Sequence, residues 1–307
     1  MVTAKAVKPK GNALRRSRDD AIVDTLILVV LSVVLCVTLY PLVYVISCSF
    51  SKPELVMQAK VRLLPLSPTL VSYTKVFAEN KLMNGFRNSV FYTLLGMAIN
   101  LVMTTIAAYP LSRKDLRGRK LINMLILFTM LFSGGMIPTY LVVHKLGFIN
   151  TVWALVIPNA ISVTNFIIMR TTFENSIPNE LQEAAKIDGS SNVGILLRIV
   201  LPLSIPIVTV MVIYYSVGHW NEYFSALIYI TKSALSPLQV VLREILIQNE
   251  LNEMMSNANA IQSQELQMVA EGMKYSTIVL ASLPMVLLYL VFQRFFVKGV
   301  MLGAVKG

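Results

Sequence analysis

Six long apolar runs constrain this chain more than any other feature of its 307 residues. They extend approximately over residues 22–48, 88–111, 121–143, 152–169, 203–230 and 275–297. A helix needs about 20 apolar residues to cross the hydrocarbon core of a bilayer, where its backbone groups find hydrogen-bond partners only within the helix. Charged residues make up 14% of the chain, whereas soluble domains have about 25%. The sequence therefore predicts an all-α integral membrane protein, a bundle of six transmembrane helices.

The fourth run is short and contains three residues that disfavour a straight apolar helix: Pro158, Asn159 and Asn165. Proline removes a backbone donor from the helix, and polar side chains in a membrane face other helices rather than lipid. We therefore expect this segment to kink and to pack inside the bundle.

The positions of Lys and Arg indicate the orientation of the bundle. The net charge is +11, and basic residues gather in short segments between the apolar runs, as they do beside an anionic cytoplasmic leaflet. This pattern predicts contact with membrane lipid rather than with nucleic acid, although the connection 51–87 also carries six basic residues. The predicted organisation is a cytoplasmic basic N-terminus at 1–21, a six-span domain at 22–297 with outer loops 51–87 and 231–274, and a cytoplasmic tail at 298–307.

The predicted cytoplasmic connection at 178–202 has the pattern of two short helices joined by a bend. Pro178 and Asn179 suit a helix start, and Gly189 suits a helix stop because glycine adopts the left-handed conformation at little cost. Ser190, Ser191 and Asn192 can cap a second helix. Ala184 and Ala185 are expected to give the first helix a side without bulk, which another protein could approach closely.

The same segment resembles the EAA loop of binding-protein-dependent ABC importer permeases. The resemblance rests on Glu183-Ala184-Ala185, then Gly189, then Ile199-x-Leu201-Pro202. In that family the loop is the coupling helix, which sits in a cleft of the ATPase subunit. The resemblance implies that Glu183 contacts the ATPase, that Ala184 and Ala185 allow close docking, that Asp188 belongs to the same contact and that Gly189 permits the bend. Without the resemblance, the segment also fits an ordinary amphipathic loop with a glycine stop.

Further segments resemble maltose-type carbohydrate permeases, namely Trp220–Phe224 and the end of the chain from Gly299. The run 132–140 resembles a subgroup associated with complex oligosaccharides, including pectic ones. The resemblance implies a bacterial cytoplasmic-membrane subunit that imports an oligosaccharide by alternating access. The implied partners are a second permease chain, two ATP-binding subunits or domains and an extracytoplasmic sugar-binding protein.

The phosphate-binding pattern G-x-x-x-x-G-K-[ST] does not occur in the sequence, so ATP and Mg²⁺ are expected on a partner. Neither a metal-ligand spacing nor a nucleophile–base arrangement is recognisable, so we predict no catalytic residue, metal or cofactor in this chain. An ion-gradient-driven transporter is the alternative; it normally has acidic residues near mid-bilayer, whereas Asp24 and Glu222 lie near span ends. A membrane scaffold without transport activity is a further alternative.

Polar and aromatic residues at the end of the fifth run form the predicted substrate path: Trp220, Asn221, Glu222 and Tyr223. Sugars bind by stacking on aromatic rings and by hydrogen bonds from amides and carboxylates. The same residues also fit an interfacial aromatic belt or packing between helices.

The amide-rich segment 231–274 contains apolar residues spaced three and four apart, which predicts an amphipathic helix. These residues are Leu238, Val241, Leu242, Ile245 and Leu246. The resemblance implies contact between this segment and the sugar-binding protein, whereas a solvated loop is the simpler interpretation.

Overall fold

The computed structural model describes residues 18–255 and 260–304, with side chains described for 19, 22–247 and 270–293. Every regular element within these ranges is helical, as the sequence predicts. The helices are α1 (Arg18–Ser49), α2 (Pro53–Met57), α3 (Val71–Ala78), α4 (Asn80–Ser112), α5 (Arg119–Leu131), α6 (Met136–Lys145), α7 (Trp153–Val156), α8 (Val163–Ser176), α9 (Asn179–Ile187), α10 (Asn192–Ile195), α11 (Leu201–Leu203), α12 (Ile205–Trp220), α13 (Phe224–Tyr229), α14 (Leu238–Met255) and α15 (Ala260–Ala304). A π-helical turn, Leu196–Val200, joins α10 to α11, and a 3-10 turn, Ser233–Leu235, precedes α14.

Three helices in the described part of the chain are long and apolar enough to cross a bilayer alone: Ile22–Ser49 within α1, Asn80–Ser112 and Ala270–Gln293 within α15. They coincide with the predicted spans at 22–48, 88–111 and 275–297. Helix α4 begins earlier than predicted because the Glu79 side chain caps it, accepting the backbone N–H of Lys81 at 3.5 Å.

Two further spans are bent pairs of helices rather than single helices. The predicted span 121–143 consists of α5 and α6, which meet at 110°. Gly134 and Gly135 stand at the break, and Gly135 has a φ of +86°, a conformation that interrupts a helix. The predicted span 203–230 corresponds to the second helix of a pair, Asn192–Leu203 and Ile205–Trp220, which meet at 85°. Counting each bent pair as one span gives up to five spans among the described residues.

The predicted fourth span, 152–169, is divided between α7 and α8, with a break at residues 157–162. Pro158 lies in this break, where its missing N–H and fixed φ disfavour a continuous helix. As predicted, α8 packs inside the bundle, because Phe166, Met169 and Phe173 are almost fully buried. Neither α7 nor α8 is long enough to count as a span by itself.

Helix α4 is the central helix of the bundle and packs against α8 and α12. Its buried face consists of small and polar residues spaced three or four apart: Ser89, Thr93, Gly96, Asn100 and Thr104. Small residues let membrane helices approach closely, and hydroxyl groups bond across the contact. The Thr104 and Tyr215 hydroxyl groups, for example, are 2.5 Å apart.

The surfaces of α1 and α5 point away from this core. Most large apolar side chains of α1 between Ile22 and Leu42 are more than 45% exposed, and α5 has no buried residue. These surfaces need an apolar environment, since water would not solvate so much contiguous apolar area.

The segment 233–247 packs along the first turns of α4, at one end of the bundle. The Ser89 hydroxyl accepts the N–H of Leu238 at 2.8 Å, and the Tyr92 hydroxyl donates to the carbonyl of Leu235 at 2.9 Å. Lys81 pairs with Glu244. The predicted outer loop 231–274 is therefore largely helix, α14 and the first turns of α15. Its predicted amphipathic helix is confirmed, with Leu238 and Val241 buried.

Candidate functional site

The segment 178–202 folds into the predicted helix–bend–helix unit, which we call the hairpin. Gly189 has a φ of +78°, and its N–H donates to the carbonyl of Lys186 at 3.0 Å. The N–H of Ser190 donates to the carbonyl of Ala185 at 2.9 Å. These two bonds form a Schellman motif, which ends a helix by satisfying its last carbonyl groups. The Ser191 hydroxyl then accepts the N–H of Gly194 at 3.1 Å and caps the second helix.

The two alanines of the hairpin do not share an exposed side. Ala185 is only 7% exposed and belongs to the main core cluster together with Phe173 and Ile195. Ala184 is exposed. The prediction that both alanines form one side without bulk is therefore wrong. Successive residues of a helix are rotated by about 100°, and Ala185 packs on the bundle.

The outward side of α9 presents a mixture of charge and exposed apolar surface. At about 100° per residue, Glu183 and Ile187 point away from Ala185, and Ala184 lies beside Ile187. Ile187 is 87% exposed. Leu181, one turn before Ala185, is 45% exposed. Asp188, after the last turn, is also exposed. The sequence analysis missed Ile187; a large apolar residue beside a polar helix end was the available signal.

An ionic clamp connects the hairpin to the connection between α4 and α5. The Arg113 guanidinium, 11% exposed, makes two hydrogen bonds to Asp115, Nε at 2.9 Å and Nη2 at 2.7 Å. Its Nη1 donates to Asn192 Oδ1 and to the Tyr109 hydroxyl, both at 3.0 Å. The carboxylate of Asp115 also accepts a hydrogen bond from Lys186 Nζ, at 2.8 Å. Arg113 and Asp115 therefore join the end of α4 to both helices of the hairpin.

The charges of the clamp stabilise each other. Hydrogen bonds from Arg113, and then from Lys186, hold the pKa of Asp115 well below its ordinary value of 3.8. The hydrogen bond to Asp115 raises the pKa of Arg113. Sequence analysis used Arg113 only to orient the bundle and did not consider Asp115. The sequence nevertheless indicated an ion pair here, since Asp115 is the single acidic residue among the basic residues of 113–120.

A second ionic group lies directly before the hairpin. Arg119, the first residue of α5, donates to Glu174 Oε1 at 3.0 Å, and Arg170 Nη1 lies 3.2 Å from Glu174 Oε2. Glu174 thereby ties the start of α5 to the last turns of α8. A small cavity of 210 Å³ lies between α9 and the connection from α4 to α5, and Glu183 and Lys114 are among its lining residues.

At the opposite end of the bundle, the structure separates the four residues of the predicted substrate path. Trp220 is 2% exposed, its Nε1–H donates to the carbonyl of Ala281 at 2.9 Å, and its ring meets Phe86 edge-to-face. Of the two interpretations left open, packing between helices is therefore the one that fits Trp220. Glu222 Oε1 accepts the N–H of Ser225 at 3.0 Å and caps α13.

Asn221 and Tyr223 are exposed and line a groove of 310 Å³ between α14 and α15. They are the two members of the predicted path that open onto a cavity. The predicted tail 298–307 and the amide-rich residues 248–265 lie outside the described side chains, and residues 256–259 and 305–307 lie outside the described residues altogether.

Within the part of the chain that the structure describes, no group of three or more His, Cys, Asp or Glu side chains is arranged to hold a metal ion. Long apolar helices, polar contacts between buried helix faces and a charge-clamped hairpin at one end are the features of a helical integral membrane protein.

The chain belongs to the family of binding-protein-dependent transport system inner membrane components, which it matches over residues 12–302. It is 39% identical to Protein LplC of Bacillus subtilis over 296 residues, which cover 96% of this chain and 99% of that protein. It is 41% identical over 272 residues to the polygalacturonan/rhamnogalacturonan transport system permease protein YtcP of Bacillus subtilis, with coverages of 87% and 92%.

The fold is similar to a chain in the crystal structure of a bacterial ABC transporter involved in the import of the acidic polysaccharide alginate. The TM-score is 0.82 and the identity 30%, over 91% of this chain and 98% of that chain. The chain is therefore a permease subunit of an ABC importer, a membrane subunit rather than a typical enzyme. The alternative of an ion-gradient-driven transporter is not favoured.

Proposed function

We propose that this permease carries an oligosaccharide across the bacterial cytoplasmic membrane by alternating access. The carbohydrate named for YtcP and the polysaccharide named for the structural relative support this substrate class. Its partners are a second permease chain, two ATP-binding subunits or domains, which hold ATP and Mg²⁺, and an extracytoplasmic sugar-binding protein.

The hairpin is the proposed ATPase-coupling element, with Glu183, Ala184, Ala185, Asp188 and Gly189 as its key residues. The observation that carries this role is the exposed side of α9, where Ile187 is 87% exposed beside the carboxylate of Glu183. An apolar anchor flanked by charge is typical of a protein-binding surface. Ala185 contributes by packing inward, and Ala184 leaves room beside the anchor.

A coupling element must also transmit movement, so it has to be stiff. The Schellman motif at Gly189 fixes the bend between the two hairpin helices. The clamp at Arg113 and Asp115 then ties the last turn of α9 and the start of α10 to the end of α4. When ATP binding closes the ATPase dimer, the hairpin moves with it and passes the displacement to α4 and α12. The bundle then opens to the outside, and hydrolysis resets it.

The proposed topology has six spans, with α7 and α8 together as a broken fourth span and both chain ends in the cytoplasm. The bent pairs α5–α6 and α10–α12 support it, since the two parts of each pair are together long and apolar enough to cross a bilayer. In this orientation α14 and the start of α15 project outward, where the segment 231–274 contacts the sugar-binding protein.

Purification of the intact complex tests the coupling role directly. Ile187→Asp and Glu183→Lys should each release the ATP-binding subunits from membranes solubilised in mild detergent, as measured by quantitative mass spectrometry. Leu64→Asp is the matched control, because Leu64 is an apolar residue that is 75% exposed in the connection 51–87, outside the hairpin and the proposed spans. Retention of the ATPase in both hairpin variants would contradict the coupling role. ATP-dependent uptake by reconstituted vesicles tests the transport activity itself.

A further inference from the structure

The groove at the outer end has an unusual lining for a membrane helix contact. It holds 310 Å³ and is lined by four apolar residues, Leu242, Ile245, Leu246 and Ile278, and by six polar residues: Asn221, Tyr223, Gln239, Arg243, Lys274 and Thr277. Apolar walls with a few convergent polar groups are typical of small-molecule sites.

The positive charge in this groove is only partly balanced. Lys274 Nζ lies 3.6 Å from Glu271 Oε2, so its charge has a partner. Among the described residues, Arg243 has no carboxylate within 4.0 Å. The neighbouring acids are already engaged, since Glu244 pairs with Lys81 and Glu222 caps α13.

The Arg243 side chain lies beside an aromatic ring. Its guanidinium carbon is 5.3 Å from the centre of the Tyr223 ring, a distance within the range of a cation–π contact. Because Arg243 makes no ion pair with a described carboxylate, its five N–H donors remain available to a ligand.

The chemistry that fits this arrangement is a sugar carboxylate. A guanidinium edge binds a carboxylate through two parallel hydrogen bonds. The amides of Asn221 and Gln239 can bond to sugar hydroxyl groups, and the half-exposed Tyr223 ring offers an apolar face to a pyranose. A neutral sugar would leave the Arg243 charge unmatched.

We propose that Arg243, positioned by Tyr223 and assisted by Lys274, is a subsite for a uronic-acid unit of an acidic oligosaccharide. The proposal rests on the proposed function, since it concerns the substrate class of the same permease. It assigns a specificity-determining residue to α14, outside the substrate path that the sequence predicts.

The test uses the reconstituted importer with its sugar-binding protein, and trigalacturonate as the probe. The methyl ester of the same trisaccharide is the matched neutral probe, and each is supplied at a concentration that saturates the binding protein. Arg243→Gln should reduce ATP-dependent uptake of trigalacturonate about tenfold, the effect of losing one charge-assisted hydrogen-bonded pair. Uptake of the ester and basal ATPase activity should not change.

Two variants separate specificity from folding. Arg243→Lys keeps the charge and should retain part of the preference for the acid, and Lys232→Gln removes an exposed cation elsewhere on the outer end and should change nothing. Equal uptake of both probes by Arg243→Gln and the unmodified chain, or an equal loss of both, would overturn the subsite. If the unmodified importer takes up neither trisaccharide but transports a neutral oligosaccharide with ATP, the subsite fails and the proposed function stands. If it transports no oligosaccharide with ATP, both fail.

Discussion

Lys186 Nζ in the hairpin lies 2.8 Å from the carboxylate of Asp115, a residue 71 positions earlier in the chain. Asp115 also receives two hydrogen bonds from Arg113, at the end of α4. Asp115 therefore connects the hairpin to the end of α4, the central helix of the bundle, through side-chain hydrogen bonds. A surface ion pair alone contributes little stability, but a bidentate pair within a network has a well-defined geometry.

Asp115→Asn should weaken coupling while leaving the bundle folded. The amide keeps the shape but loses the charge that attracts both Arg113 and Lys186. We expect a lower ratio of sugar transported to ATP hydrolysed in reconstituted vesicles, with normal amounts of protein in the membrane. Lys114→Gln is the control, because Lys114 is an exposed neighbour without an ion pair among the described residues. An unchanged ratio of sugar transported to ATP hydrolysed in Asp115→Asn would show that the clamp is not needed for coupling.

The clamp should be insensitive to pH across the neutral and mildly acidic range. Because the pKa of Asp115 is lowered in the folded chain, the stability it contributes is fully present above its ordinary pKa of 3.8. That contribution is lost only as the pH falls from there toward the lowered pKa. We expect the difference in coupling ratio between Asp115→Asn and the unmodified chain to stay constant from about pH 8 to about pH 5. A difference that disappears within this interval would contradict the lowered pKa.

Gly189→Pro should uncouple ATP hydrolysis from uptake. Proline fixes φ near −65° and has no N–H, whereas Gly189 needs a φ of +78° and donates to the carbonyl of Lys186. Gly189→Asn is the matched substitution, because asparagine tolerates the left-handed conformation and no atom lies within 4 Å of the added Cβ. We expect near-complete loss of ATP-dependent uptake for proline and near-normal uptake for asparagine. Similar uptake by the two variants would show that the bend is not needed.

Gly96→Ala should destabilise the contact between α4 and α12. A Cβ at position 96 would collide with the imidazole ring of His219, and overpacking of a closely packed site costs about 1–3 kcal/mol. We expect a lower apparent Tm of the purified chain. Gly218→Ala is the control, because no atom lies within 4 Å of that position. His219→Ala in the Gly96→Ala background should recover part of the loss, and simple additivity of the two changes would refute the collision.

Trp220→Phe should lower stability without changing affinity for sugar. The substitution removes the hydrogen bond to the carbonyl of Ala281, at a cost of about 1 kcal/mol, and leaves most of the ring contact with Phe86. We expect a reduced apparent Tm and an unchanged KM for uptake. A changed KM with an unchanged Tm would instead support a role for Trp220 in binding the substrate.

Short-range features could be predicted from the sequence because the groups that decide them are neighbours in the chain. Pro178, Gly189 and Ser191 define the start, end and cap of the hairpin helices through bonds that span only a few residues. The long apolar runs likewise required helices, since the backbone has no other partner in a bilayer. The same local reasoning missed the bend at Gly135, where the single apolar run 121–143 forms two helices that meet at 110°.

The side on which a residue faces could not be read in the same way. Ala184 and Ala185 are adjacent and chemically identical, yet one is exposed and the other is packed beside Phe173. Trp220 and Tyr223 both suggested sugar binding, but α15 buries the first and leaves the second on a groove. These outcomes depend on which helix packs where, and a single helical pattern does not contain that information.

The sequence by itself determined that this chain is a helical membrane protein with a glycine-ended hairpin, because apolar length and local capping bonds act within each segment. Only the tertiary structure decided that Asp115 meets Lys186, that Gly96 receives His219 and that Arg243 lies on Tyr223. Each of these contacts joins residues from different elements of the fold, and its free energy exists only after the bundle has brought those elements together.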